Sequence, residues 1–261
     1  MCPICFTESG NYSVIVDTIY KVCKCSDCGL EYTVPNPNDQ VLQDFYHTYH
    51  DVRADTAIVR RNAKRNLKKL ELLGIKPDDF ILDFGCGKGE FVDVAGERCF
   101  GIELNPDHPN SRVKASFETL PHRSFHAITL WGVLEHLNNI LPTLQILRSH
   151  LDKDGFMIMT TVDAEGVIPY YYKPPEHLTY WTKKSFEILA EILGMKIIAY
   201  EPYMMEQNAR IYLERLLSRT PLPYRESILN GSLNALPEIV EVPTNEIFVV
   251  MQSKGPHHGS Q

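Results

Sequence analysis

Five of the seven cysteines crowd into the first 28 residues, as Cys2, Cys5, Cys23, Cys25 and Cys28. Cys2-Pro3-Ile4-Cys5 and Cys25-Ser26-Asp27-Cys28 are two C-x2-C pairs with nineteen residues between them. That is zinc-ribbon spacing, in which each pair forms a knuckle and a short hairpin gathers both around one tetrahedral ion. Four thiolates leave no coordination position for water or substrate, so a Zn2+ held there serves folding rather than catalysis. Cys23 is spare. It reads as a small buried hydrophobe or, two residues from Cys25 on the same strand face, as a ligand competing with Cys2.

A second chemical signal begins at Phe80. The apolar run Phe80–Phe84 leads directly into Gly85-Cys86-Gly87-Lys88-Gly89-Glu90 and then Phe91–Ala95. Buried strand, tight glycine turn and helix open a doubly wound α/β unit, and the turn lets a ligand approach the backbone closely. A dinucleotide fingerprint would need its third glycine at Glu90, and a phosphate-binding Walker loop would need Gly-Lys-Ser/Thr. The segment Cys99–Glu103 reads as the next strand, ending in an acid eighteen residues after Gly85. An acid at that tip accepts hydrogen bonds from both hydroxyls of a ribose. Bonds of this charge-assisted type contribute about 1.5–3 kcal/mol each. Turn and acid together point to an adenosine-containing cofactor.

These residues require elements to hold them. Tyr12–Val16 and Ile19–Val22 are β-prone and supply a hairpin between the cysteine pairs. Pro35-Asn36-Pro37-Asn38 ends that ribbon, and the aromatic stretch Asp44–His50 reads as irregular. From Thr56 to Leu73 a helical period sets in, with Val59, Ala63, Leu67 and Leu70 on one face. Arg60, Arg61, Lys64, Arg65, Lys68 and Lys69 cover the other, as a solvated surface or a docking face for a phosphate-bearing substrate. Gly155–Thr161, Lys196–Tyr200 and Glu246–Gln252 read as further strands. The expected layout is a zinc ribbon at 1–38, a linker with a basic helix at 39–75, an α/β domain at 76–252 and a disordered tail at 253–261. Residues 203–243 form an insertion between the last two strands, with helices at Ala209–Leu217 and near Tyr224. It serves as a substrate wall or a homodimer contact.

The 261-residue chain carries 26 Lys+Arg against 33 Asp+Glu, a net charge of -7, with 44% hydrophobic residues. This composition excludes extended disorder, collagen and coiled coil. The acidic balance speaks against wrapping a nucleic-acid backbone. No stretch approaches the roughly 18 apolar residues of a membrane span. The opening MCPICFTESG lacks a basic segment followed by an apolar one, which gives the expectation of no signal peptide and a cytoplasmic location. In a reducing compartment clustered cysteines mean metal rather than disulfides.

ILDFGCGKGE, GIELNP and LPHRSFHAITLWGVLEHL together resemble class I S-adenosylmethionine-dependent methyltransferases over roughly residues 76–200. The front end CPIC…KCSDCGLEYTVPNP resembles zinc-binding modules that precede such domains in bacterial sugar and natural-product methyltransferases. The resemblance implies a Rossmann-like, mostly parallel seven-stranded sheet behind a small zinc ribbon. It implies that Gly85, Gly87 and the backbone at Phe84 and Cys86 cradle the methionine part of S-adenosyl-L-methionine, with Asp83 nearby and Glu103 on the ribose. Ser116 and Phe117 fall where the family contacts adenine, although Ser116 stands where an aspartate is usual.

Methyl transfer from a sulfonium is an in-line displacement, and alignment alone removes ~7–11 kcal/mol of barrier. A hydroxyl or activated-carbon acceptor also needs a base, for which histidine is suited near neutral pH. Two histidines are candidates. His136 follows the fourth strand of the domain at the carboxyl edge, where α/β sheets bind ligands. Its alternative is a residue at a helix start, bonded to backbone, and Glu135 reads as a helix-start acid. His177 lies in Tyr170–Leu178, which resembles the Pro-x-x-His-Leu loop that caps the acceptor pocket in related enzymes. It is a general base or acceptor ligand, or else a structural residue bonded to a loop carbonyl. The expected reaction is methylation of a small molecule, a sugar or natural-product intermediate. The alternatives are an RNA or protein acceptor docked by ribbon and basic helix, and a cofactor-binding regulator without catalysis.

Overall fold

The computed structural model describes residues 1–8, 10–48, 56–104, 109–166, 172–218, 231 and 237–254. The expected helix near Tyr224 and most of the 253–261 tail lie outside them. At the N-terminus β1 (Gly10–Ile15) and β2 (Lys21–Cys25) form an antiparallel hairpin, and β3 (Glu31–Val34) pairs with β2. Asp17 closes the hairpin turn by accepting the backbone N–H groups of Ile19 and Tyr20 at 2.7 and 2.6 Å.

Of the aromatic stretch expected to be irregular, Asp44–Thr48 instead belong to a helix, α1 (Asp39–Thr48), and Tyr49 and His50 lie outside the described residues. Asn38 caps α1, its side chain accepting the Val41 N–H at 2.9 Å, and Asp39 adds negative charge to the first turn. The Pro-Asn-Pro-Asn run ends β3 at Val34 as expected, and its last residue opens the helix.

The basic helix α2 spans Thr56–Leu72. Its buried stripe is Asn62, Ala63, Asn66 and Leu70, so half of it is amide rather than aliphatic. Then come β4 (Ile81–Phe84), α3 (Glu90–Ala95), β5 (Cys99–Ile102), β6 (Val113–Lys114), β7 (Phe125–Trp131), α4 (Ile140–Ser149) and β8 (Leu151–Val162). The strand β9 (Thr179–Tyr180) precedes α5 (Lys183–Ile192), β10 (Met195–Asn208), α6 (Ala209–Ser218) and β11 (Ile239–Ser253). Seven of the strands form one sheet in the order β10-β11-β8-β7-β4-β5-β6. All its pairs are parallel except those that β11 makes with β8 and β10. This is the doubly wound, mostly parallel α/β sheet expected.

The last two strands run well past the expected limits. β11 pairs with β8 only from Glu246 to Gln252, yet it continues on β10 from Pro243 to Ile239 as a two-stranded ribbon. Pro202 and Pro243 lie within this extension. The register shifts between Pro202 and Met204, and such an irregularity accommodates the missing donor without ending the strand. The ribbon lies against α2: Asn62 bonds both the carbonyl and the N–H of Glu206, at 3.0 and 2.8 Å, and the Tyr203 hydroxyl donates to Asn66 at 2.9 Å.

The N-terminal hairpin is not a detached appendage. β3 pairs with β9, joining Glu31 to Tyr180 and Tyr32 to Thr179 in a four-stranded sheet. Cys2, Ile4 and Leu30 share one continuous apolar core with Trp181, Phe186 and the sheet residues Leu82 and Leu130. Thr182, whose side chain caps α5, also donates to the Cys28 carbonyl at 3.3 Å.

Candidate functional site

The turn between β4 and α3 brings the expected cofactor residues together. Gly85 has φ +71°, and a Cβ there would stand 2.7 Å from the Val133 side chain, so both conformation and space demand glycine. The Gly87 N–H donates to the Glu103 carboxylate at 2.9 Å, and Glu103 also accepts the Leu104 N–H at 2.8 Å. A Cβ on Gly87 would meet no protein atom within 4 Å, so the loop is open at that position. A carboxylate at the tip of β5 beside an open glycine turn fits a ligand carrying a ribose diol. Cys86 turns inward, its sulfur against Gly101, and burial pushes its thiol well up. It packs.

Asp83 is buried at the end of β4 and accepts the Thr129 hydroxyl at 2.7 Å. Burial raises its carboxyl to about 7, and the neighbouring Glu103 and Glu90 charges push the same way. Phe117, in the turn Phe117–Thr119 that Ser116 precedes, faces Phe84 at 6.2 Å and stacks on His150 at 4.7 Å. Ser116 and Phe117 are half-buried beside the β4 tip, where an adenine contact was expected.

Beyond Val133 the chain makes a single tight turn, Leu134–His136, at the carboxyl end of β7. Glu135 is the acid of this short helical turn, as expected, but it is buried. It is 3% exposed, accepts the Thr161 hydroxyl at 2.8 Å, and burial lifts its carboxyl to about 7. Glu246 on β11 is raised to about 7 in the same way, by burial and then by the Glu135 charge. The sequence reading missed both, along with Thr129 and Thr161. A lone acid in a strand that pairs across β8 carries no local signal of burial.

The two histidines meet: their rings lie 4.9 Å apart at an interplanar angle of 84°. His136 Nδ1 is 2.8 Å from the Glu176 carbonyl oxygen, and burial lowers the pKa of the ring. His177 is 9% exposed, and burial followed by His136 lowers its pKa to about 3. Both are neutral near pH 7. The Nδ1 of His177 is enclosed without a hydrogen-bond partner among the described residues, and its Nε2 stands 3.7 Å from Glu176 Oε1. The hairpin braces this turn, since Thr33 donates to the His177 carbonyl at 3.0 Å and Tyr172 donates to Glu31 at 2.6 Å. Tyr170 and Tyr171 lie outside the described residues.

At the N-terminal knuckles one sulfur from each of Cys2, Cys5, Cys25 and Cys28 lies within 4.8 Å of the others. Cys2 and Cys28 approach to 3.5 Å, and Cys5 and Cys25 to 3.4 Å. A tetrahedral ion with Zn–S of about 2.3 Å spaces its sulfurs at about 3.8 Å, so the donor set fits Zn2+ in type and size. Bonding to Cys28 holds the Cys2 thiol down to about 5, and the same contact pushes Cys28 up. Cys23 stands outside the group, packed against Gly10. The arrangement favours Cys2 over Cys23.

Half of the basic face of α2 is paired with acids, and Arg60, Lys64 and Lys68 are exposed. Arg61 pairs with Glu206, Arg65 with Glu206 and Glu241, and Lys69 with Glu201 at 2.7 Å while lying over the Phe248 ring. Among the described residues no helix is long and apolar enough to cross a membrane.

A family model described as a methyltransferase domain matches residues 53–200. No curated protein matches the sequence. A SAM-dependent methyltransferase from Archaeoglobus fulgidus is 18% identical, with a TM-score of 0.50 over 74% of this chain and 94% of that one. The 1,6-didemethyltoxoflavin-N1-methyltransferase of Burkholderia thailandensis, solved with its acceptor and S-adenosylhomocysteine, is 14% identical, with a TM-score of 0.52 over 92% and 98%. A complex of the Haloferax volcanii Trm112 methyltransferase activator with a methyltransferase gives 13%, 0.53, 76% and 93%. At these identities the structural likeness speaks for the fold, and the family match, which spans more than half of the 261 residues, carries the assignment. The chain belongs to the methyltransferase-domain family and is a class I S-adenosylmethionine-dependent methyltransferase.

Proposed function

We propose that the protein transfers a methyl group to a small-molecule acceptor, a sugar or natural-product intermediate, held between the β4–α3 turn and the two histidines. The carrying observation is the continuity of the two sites. Val133 lies against Gly85, and three residues later the chain reaches His136, beside His177. Bound in the turn, S-adenosylmethionine supplies an electrophilic methyl on a sulfonium. Gly85, Gly87 and the Phe84–Cys86 backbone seat its methionine end, and Glu103 holds the ribose. Ser116 and Phe117 border the adenine. Asp83, protonated half the time near pH 7 by its burial, ionises when a positive charge sits beside it. His177 is kept neutral and so can take the acceptor's proton, with His136 as its neighbour.

The four cysteines hold a structural Zn2+, whose folding energy braces the turn that carries His177 through β3 and β9. A nucleic-acid acceptor docked by α2 is disfavoured, because Arg61, Arg65 and Lys69 are already paired with glutamates. The test is a panel of small acceptors with methyl-labelled cofactor, repeated with His177→Ala on the best substrate. A loss of kcat of about 10²–10⁴-fold is expected for a missing base. Unchanged turnover removes His177 from the chemistry, and label transferred only to RNA or protein refutes the small-molecule reading.

A further inference from the structure

We infer that Glu135, His136 and His177 form a second, catalytic-type metal site that binds one divalent first-row transition ion facing the acceptor. The inference rests on the proposed acceptor side of the site and refines one role in it: with the ion bound, the His177 lone pair is engaged by the metal, so His177 acts on the acceptor through the ion and not as a direct base. One carboxylate oxygen of Glu135 and one ring nitrogen of each histidine lie within 4.8 Å of one another. Ligand atoms around a bound ion of this class are roughly 3–3.5 Å apart, given bond lengths of about 2.0–2.2 Å. Small side-chain torsions close that difference.

Three further features are those of ligands. His136 Nδ1 approaches the Glu176 carbonyl at 2.8 Å, a contact that a neutral ring makes only as donor. The lone pair is then on Nε2, the atom 4.0 Å from Glu135 Oε1. A backbone carbonyl fixing the tautomer from behind is the usual outer support of a metal-binding imidazole. The carboxylate is supported in the same way: Thr161 donates to Glu135 Oε2 at 2.8 Å, orienting the group with Oε1 toward His136. Finally, His177 is buried to 9% exposure with its Nδ1 unpartnered among the described residues. A buried polar atom of that kind requires an explanation, and a ligand in the cluster provides one.

The donor set selects the ion. Two imidazoles and one carboxylate suit Zn2+, Mn2+ or Fe2+, whereas Mg2+ and Ca2+ prefer oxygen alone. Three protein ligands also leave coordination positions open, in contrast to the closed four-cysteine set at the other end of the hairpin. An acceptor hydroxyl bound at an open position becomes more acidic. Its proton passes to water, its oxygen forms the new C–O bond, and the C–S bond breaks with the electron pair staying on sulfur. The ion keeps its oxidation state throughout.

The direct test is to titrate the full-length, zinc-loaded protein with Co2+. One equivalent should bind with visible d–d bands that lack the thiolate-to-cobalt charge transfer of a cysteine site. His177→Asn and Glu135→Gln should each weaken that binding at least 100-fold while the zinc content stays at one. His177→Cys should restore an ion and add one thiolate charge-transfer band, a readout that folding defects cannot imitate. Absence of the bands in wild type at millimolar Co2+, or equal affinity in both weakened variants, overturns the inference. Wild-type turnover with no ion beyond the ribbon zinc overturns it too, while leaving methyl transfer intact. A bound Co2+ with these properties in a chain that binds no S-adenosylmethionine supports the site and refutes the proposed function instead.

Discussion

The cofactor turn and the histidine cluster are neighbours, joined through Val133 and His136, yet they are built in opposite ways. The turn is local: β4, the glycine loop, α3 and β5 follow one another within about 25 residues, and the contact between Gly87 and Glu103 spans sixteen positions. The cluster is assembled from afar. His136 reaches Glu176 over forty positions, Thr33 reaches the His177 carbonyl over 144, and Glu246 arrives on the antiparallel β11. A local site survives small shifts in the rest of the molecule, whereas a remote one depends on every element that braces it.

That contrast predicts the largest effect far from the chemistry. Chelating the ribbon metal, or replacing Cys25 with Ser, should unfold the hairpin and disorder the His177 turn, because structural zinc supplies on the order of 10 kcal/mol in small modules. Ribbon zinc should drop from about one ion to none, with turnover lost and S-adenosylmethionine affinity retained within about tenfold. Equal loss of both functions would erase the distinction between the two sites.

Next in size is the buried carboxyl of the turn. Asp83 has a folded pKa raised to about 7 against 3.8 unfolded, so its burial costs nothing at low pH and destabilises as pH rises through that window. At about 1.4 kcal/mol per pKa unit the cost at pH 8 is on the order of 3–4 kcal/mol. Thermal melts of Asp83→Asn should therefore lose less stability than wild type between pH 5 and 8. In the same variant, the proton released on cofactor binding near pH 7, up to about half a proton per chain, should vanish from calorimetry in buffers of different ionisation heat. A pH profile identical to wild type would contradict the burial argument.

The smallest effect concerns the basic helix. Arg65→Ala removes partly exposed pairs with Glu206 and Glu241 and should cost about 1 kcal/mol in denaturant melts. Cofactor binding and turnover should stay unchanged. A loss of turnover without loss of stability would return α2 to the list of docking surfaces.

What could be read in the sequence follows the same division. The cysteine pairs, the glycine turn and Glu103 carry their spacing in a few contiguous residues, and the structure brings each group together as expected. Glu135, Glu246 and Thr161 went unread as site residues, since their roles come from burial and cross-strand pairing that no local pattern encodes. Asn62 and Asn66 carry no local signal of burial, yet Asn62 bonds the Glu206 backbone as a strand partner would and Asn66 accepts the Tyr203 hydroxyl. The basic face of α2 is solvated as expected at Arg60, Lys64 and Lys68, whereas Arg61, Arg65 and Lys69 pair with glutamates. Those acidic partners lie more than 130 residues away, on a ribbon that no local pattern links to the helix.

Calorimetry of S-adenosylmethionine binding to wild type and to Glu103→Ala tests the central claim most directly. Loss of the carboxylate removes the expected ribose acceptor, so affinity should fall by roughly 10–150-fold, the equivalent of about 1.5–3 kcal/mol, with the fold intact by circular dichroism. Equal affinity in the two proteins would contradict the assignment of the β4–α3 turn and Glu103 as the cofactor site.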